Sequence, residues 1–251
     1  MSGHSKWATI KRKKGAADAK RGQIFTRITR EIVMAAREGG GDPDSNFRLR
    51  LAVEKARAQN MPKENIERAM KRGSGESKDG VVYEEVMYEG FAPKGVAVIV
   101  TCVTENRNRT VAELRHALAR SGGNLGEGGS VAWQFKRASY FEVPGKEHDM
   151  EKIFDIAVIA GADDVNYDDG VIEIVGPVEI FKTLTDALRQ AGYIPREAEL
   201  RMLPITEMEL NVEETLQVLR AVENLEELDD VQNVYHNLRI SEEALAAIAE
   251  E

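Results

Sequence analysis

Lys6, Lys11, Arg12, Lys13, Lys14, Lys20 and Arg21 crowd residues 2–25, a stretch that holds one tryptophan, Trp7, and a single acid, Asp18. Side chains of this type at this density do one kind of chemistry well. They neutralise the phosphates of a polyanion, and the counterions released supply an affinity that falls with salt and reads no sequence. Trp7 offers either a stacking surface for an unpaired base or a hydrophobic anchor for the arm, and its residue type leaves both open. Gly3, Gly15 and Gly22 interrupt the stretch and apolar residues are few before Ile24. It therefore reads as an arm that is mobile alone and ordered on binding.

Two further basic groups stand on elements that the periodicity predicts. From Ile24 to Arg37 the apolar residues Ile24, Phe25, Ile28, Ile32, Ala35 and Ala36 recur at helical intervals, which places Arg27, Arg30 and Arg37 roughly opposite them. One face of that helix is expected to pack and the arginine face to meet a partner. In "ENRNRT", residues 105–110, Arg107 and Arg109 lie beside a predicted helix N-terminus, where backbone N–H groups favour anions. They are secondary candidates, because Asn and Thr are also ordinary helix caps.

Catalytic and metal chemistry finds little to work with. His4, His116, His148 and His236 are scattered and none sits in an H-E-x-x-H arrangement. "DDVNYDDGVIEI" departs from an EF-hand loop, with Gly170 one position late and Val175 where the bidentate Glu belongs. A hairpin about Asp169-Gly170 accounts for the same residues. The glycines of residues 122–129 lack a following G-K-[ST] and end a helix, so a flexible or tightly turning loop is expected there. Cys102 is the only cysteine, which rules out an intramolecular disulfide, and it lies in an apolar strand as a packing residue. No enzyme, cofactor, metal or small-molecule substrate is expected.

Charge is segregated along the chain. The net charge of -9 over 251 residues conceals 18 basic and 8 acidic side chains in residues 1–72, 14 and 22 in residues 73–204, and 2 and 13 in residues 205–251. A field of one sign attracts polyanions whatever the average charge, and the acidic remainder turns the basic end toward them. The longest apolar run, "GVAVIV", is far short of the ~20 residues of a membrane span. The N-terminus has no apolar h-region. With the single cysteine, these features predict a soluble, cytoplasmic protein with no membrane partner; a monomer is expected.

The elements that must position these groups follow a simple order. After the arm, residues 1–23, a three-helix domain is expected over 24–75, with Pro43 and Pro62 opening its second and third helices and Gly73 as a C-cap. "GSGESKDG" is a linker by composition. Strands "VYEEVMYEGF" and "GVAVIVTCV", a helix over 107–120 and a strand "VAWQF" come next. Residues 138–205 then read as βαββαβ, a ferredoxin-like unit. Strand 208–210, a helix over 213–227 and strand "VQNVYHNL" are too few to bury a core alone. They are expected to return to the sheet of residues 81–137, which makes a discontinuous domain of 81–137 plus 206–240. The fold class is α+β, with a helical bundle and two α/β domains.

The blocks "GHSKWATIKRKKGAADAKRGQIFTRITREI", "TENRNRTVAELRHAL" and "GGNLGEGGSVAWQF", taken together, resemble the YebC family, whose members include a mitochondrial translational activator of cytochrome c oxidase. The resemblance extends over essentially the whole chain. It implies a three-domain protein with a non-enzymatic role in gene expression. Bacterial members are described as DNA-binding transcriptional regulators, and others resemble translation factors acting at the ribosome, including on chains stalled at proline runs. Carried over by position, the contacts are Lys6, Trp7, Lys11 to Lys14, Lys20, Arg21, Arg27 and Arg30. The expected partner is nucleic acid, either DNA or ribosomal RNA. The competing expectation is a protein-interaction adaptor that uses acidic α/β domains.

Overall fold

The computed structural model describes residues 7, 18–76, 82–168 and 170–250, with the backbone alone given for 18–21 and 249–250. Most of the basic arm therefore lies outside the described residues. The fold is α+β, and the chain divides into two compact units. One comprises residues 3–132 and 207–251, the other residues 133–206.

In the first unit, helix α1 (Asp18–Gly39) packs against α2 (Phe47–Ala58) and α3 (Lys63–Gly73). The predicted stripe does the burying: Ile28, Ile32, Ala35 and Ala36 meet Leu49, Ala52, Val53, Ile66 and Ala69 in one core. Asn46 fixes the corner between α1 and α2. Its Oδ1 accepts from the Leu49 N–H at 3.1 Å as an N-cap, while its Nδ2 donates to the carbonyls of Ala35 and Gly40. At the crossing of α1 and α3 a Cβ on Gly73 would stand 2.4 Å from the Val33 carbonyl oxygen and 2.6 Å from the Ala36 Cβ. Gly73→Ala should therefore overpack the crossing and lower stability by about 1–3 kcal/mol. Urea melts should show this as a lower midpoint at unchanged slope.

The same unit carries a sheet of order β3-β1-β2-β9, built from β1 (Glu84–Phe91), β2 (Ala97–Thr104), β3 (Asn124–Leu125) and β9 (Val231–His236). β2 is buried along nearly its whole length, in keeping with its unbroken apolar run. It pairs antiparallel with β1 on one side and with β9 on the other, and Val100 lies opposite both Tyr88 and Val234. Leu114 and Leu118 of α4 (Arg107–Ser121) and Val218, Leu219 and Val222 of α7 (Val212–Glu226) pack over it, joined by Ala244, Leu245 and Ile248 of α8 (Glu242–Glu250). Sequence reasoning stopped at residue 240 and missed α8. A short parallel pair, β8 (Met208–Glu209) with β10 (Leu238–Arg239), completes this part.

The glycine loop is tightly turned. A Cβ on Gly123 would sit 2.3 Å from the Phe91 carbonyl oxygen, an approach that lets β3 lie against β1. Beyond it the Glu89 carboxylate, 7 % exposed, accepts the backbone N–H groups of Gly129, Val131 and Ala132, each at 2.7 Å. This cage holds the chain where a strand was expected. "VAWQF" is not a separate strand: residues 132–134 form a 3-10 turn, and Phe135 opens one long strand, β4 (Phe135–Pro144).

The second unit has the order β5-β6-β4-β7, antiparallel throughout, with β5 (Asp164–Asp168), β6 (Val171–Gly176) and β7 (Glu197–Pro204). Its connectivity is β-α-β-β-α-β. Phe141, Val143, Ile172 and Ile174 face Ile153 and Ala157 of α5 (Met150–Ala160) and Leu184 and Leu188 of α6 (Phe181–Gln190). The alternate residues of the same strands build a charged cluster. The Tyr140 hydroxyl lies 3.0 Å from Glu142 Oε1 and 2.8 Å from Glu173 Oε1, Arg196 binds Glu142 at 2.5 Å, and the Arg201 guanidinium stands 3.6 Å over the Tyr140 ring. Burial pushes the Tyr140 phenol up, so it stays protonated and able to donate.

Candidate nucleic-acid interface

Lys6 and Lys11 to Lys14 lie outside the described residues, as do the side chains of Lys20 and Arg21. Trp7 is described. It is partly buried and packs against the core formed by β2, α4, α7 and α8. Of the two roles its residue type allowed, that placement matches a hydrophobic anchor.

The arginine face of α1 does not point to open solvent as a row. Arg30 is 9 % exposed, and its Nη2 lies 3.0 Å from Asp230 Oδ1 while its Nη1 donates to the Asp229 carbonyl. The expectation that Arg30 sits on an exposed face is corrected by this pair. Helical periodicity shows which side of a helix is polar but not which distant acid covers it. Arg27 is half-buried and its Nε makes no hydrogen bond among the described residues. Burial lowers its pKa, Asp229 raises it and Arg30 lowers it again. Arg37 is exposed and donates to the Tyr83 carbonyl at 2.8 Å. The Tyr83 ring faces the Arg30 and Arg72 guanidiniums at 5.7 and 5.2 Å.

Asp230 is the centre of this arrangement. Only 1 % exposed, it accepts the Thr104 hydroxyl at 3.0 Å, the Thr110 hydroxyl at 2.7 Å and Arg109 Nη2 at 2.9 Å, besides pairing with Arg30. Burial alone would raise its pKa. The hydrogen bonds from Thr110, Arg109 and Thr104, with the Arg30 charge, outweigh burial and hold it below the usual carboxylate range. Arg109 is thereby engaged with acids, touching Glu105 and Glu113 as well, and Arg107 pairs with Glu84 at 2.6 Å. The α4 N-terminus is capped by its own Asn106, whose Oδ1 accepts the Arg109 N–H at 3.1 Å. In "ENRNRT" the structure displays an ordinary cap with two acid-paired arginines.

Sequence reasoning passed over Arg57, Arg68 and Lys71, which are exposed and make no ion pair among the described residues. Arg68 and Lys71, three apart on α3, share a face. The signal for them was present in "KENIERAMKRG", where Ile66, Ala69 and Met70 point inward and leave these side chains outside. Cys102 is fully buried and its thiol is pushed up to about 12, chiefly by burial and further by Asp230, which makes it an inert packing group. No helix among the described residues is long and apolar enough to cross a membrane.

The class of protein is an α+β chain with a strongly basic N-terminal end and an acidic remainder. Residues 5–76 match the model of the TACO1/YebC protein N-terminal domain, and residues 83–238 match that of the TACO1/YebC second and third domain. The chain belongs to the TACO1/YebC family. A probable transcriptional regulatory protein of Geobacter sulfurreducens is 50% identical over 245 residues, covering 98% of each chain. One of the same name from Geotalea uraniireducens is 49% identical over 245 residues, again covering 98% of each. The crystal structure of a conserved hypothetical protein from Aquifex aeolicus aligns with a TM-score of 0.83 at 43% identity, covering 91% of this chain and 94% of that one.

Proposed function

We propose that this protein is a non-enzymatic regulator of gene expression that binds duplex DNA through the phosphates. Its contacts are Lys6, Lys11, Arg12, Lys13, Lys14, Lys20 and Arg21 on the arm, with Arg37, Arg57, Arg68 and Lys71 alongside. The observation that carries the reading is the charge polarity, net +10 over residues 1–72 against -9 for the whole chain. Relatives named as probable transcriptional regulatory proteins add support. Arg30 serves instead as a strut between α1 and the segment at Asp229 and Asp230, and Arg27 lies half-buried under the influence of Asp229. With that row occupied, α1 is poorly suited to insert a recognition face into a major groove, which favours backbone contact over base readout. Trp7 anchors the arm rather than stacking on a base. In this reading the protein works as a cytoplasmic monomer in three parts: the helical segment, the discontinuous α/β part and a ferredoxin-like part.

A salt titration tests it. Binding of a duplex should weaken steeply with salt. Replacing Lys11, Arg12, Lys13 and Lys14 by Gln should flatten the log–log slope by about 3 to 4 and shrink the affinity drop between 50 and 200 mM salt by about 100-fold. A salt-independent affinity, or an unchanged slope in the variant, would sink the phosphate-grip reading. Parallel titration of folded ribosomal RNA separates the two targets: tighter binding to RNA at equal salt assigns the arm to a ribosomal role.

A further inference from the structure

Among the described residues, ten large apolar side chains are left exposed, and seven of them belong to the second unit, residues 133–206. Single exposed apolar residues are commonplace. Three on one helix face are not. Phe154, Val158 and Ile159 of α5 are 45, 51 and 87 % exposed, while Ile153 and Ala157 on the opposite side are fully buried in the core. At about 100° per residue, Phe154 and Val158 form one ridge and Ile159 stands across from it, with the exposed Glu151 and Asp155 between them and the exposed Lys152 at the outer edge beside Ile159. Neither carboxylate makes an ion pair among the described residues. Tyr167, 39 % exposed, stands on β5, the outermost strand against which α5 packs.

We propose that the outer face of α5 is a docking site for a cationic amphipathic helix of a partner protein. The alternation of apolar ridge, carboxylate pair and Ile159 selects that chemistry. An apolar stripe with lysines or arginines along its centre would cover Phe154, Val158 and Ile159 while neutralising Glu151 and Asp155. Nucleic acid and anionic lipid are repelled by the same two carboxylates. A second copy meeting this face by two-fold symmetry would set Glu151 and Asp155 against their own counterparts. The proposal uses none of the arm residues, so it stands whether or not the phosphate-binding reading does.

The probe is a fluorescent-labelled helical peptide of Leu and Lys, titrated by anisotropy against the full chain, with a Leu/Glu peptide and a Lys-only peptide as comparators. Binding of the Leu/Lys peptide should weaken more than tenfold in Phe154→Ser/Val158→Ser and again in Glu151→Lys/Asp155→Lys. The second variant removes no apolar contact and keeps the test valid if the first folds poorly. Equal binding of either comparator peptide, or unchanged affinity in the charge-reversed variant, overturns the proposal. So does sedimentation of the wild-type chain as a dimer that Phe154→Ser/Val158→Ser returns to monomer, because the face would then belong to a second copy.

Discussion

Replacing Asp230 by Ala should cost about 3–5 kcal/mol, because it strands the guanidinium of Arg30 in a site only 9 % exposed. The Thr104 and Thr110 hydroxyls lose an acceptor at the same stroke. The expected result in urea is a large fall in midpoint, and a double-mutant cycle with Arg30→Ala should return a coupling of about 1–3 kcal/mol. The effect also has a pH signature. The folded-state pKa of Asp230 is depressed, so its contribution is fully present above the unfolded carboxylate value of about 3.9 and is lost as pH falls through the folded value. The difference between wild type and Asp230→Ala should therefore be constant at neutral pH and shrink in strong acid. A difference that grew on acidification would contradict the assignment.

Glu89→Ala is the second large effect. Three backbone N–H groups end on this one carboxylate, two of them on Val131 and Ala132, whose geometry determines where β4 can start. Burial raises the pKa of Glu89, and the three N–H bonds more than reverse this, leaving it lowered. Leaving buried donors unpaired costs about 1–3 kcal/mol each, so the loss should reach about 3–5 kcal/mol. Hydrogen exchange is the sharper measurement. The amides of Gly129, Val131 and Ala132 should lose protection in Glu89→Ala while those of α2, which the carboxylate does not touch, keep theirs at matched stability. Uniform loss over both regions would mean that Glu89 supports the whole fold and not this loop.

Local rules carried a sequence reading far in some places and failed in identifiable others. The α1 stripe, the largely apolar β2 and the βαββαβ order were legible because each writes its burial into a short window of residues. α8 was missed although its start is written in the sequence: Ser241 caps it, its Oγ accepting the Ala244 N–H at 3.2 Å, and Glu242 and Glu243 fill the first turn. "VAWQF" misled because its fate depends on Glu89, some forty residues earlier. Arg30 misled in the same way: its partner lies 200 positions downstream, and no periodicity records a pairing of that span. The exposed ridge on α5 was equally hidden, since an apolar residue announces burial unless the neighbour that would cover it is known to be missing.

The pairing of β2 with β9 joins residues that are synthesised far apart: Cys102 meets Val231 only after the whole of residues 133–206 has been made. At about 5–20 residues per second, translation leaves β2 waiting of the order of ten seconds for its second neighbour. The inserted unit, contiguous in sequence, has no such wait. A nascent chain should therefore complete its inner segment first and close the earlier sheet later, leaving an apolar strand edge in need of protection until residues 231–236 have emerged from the ribosome.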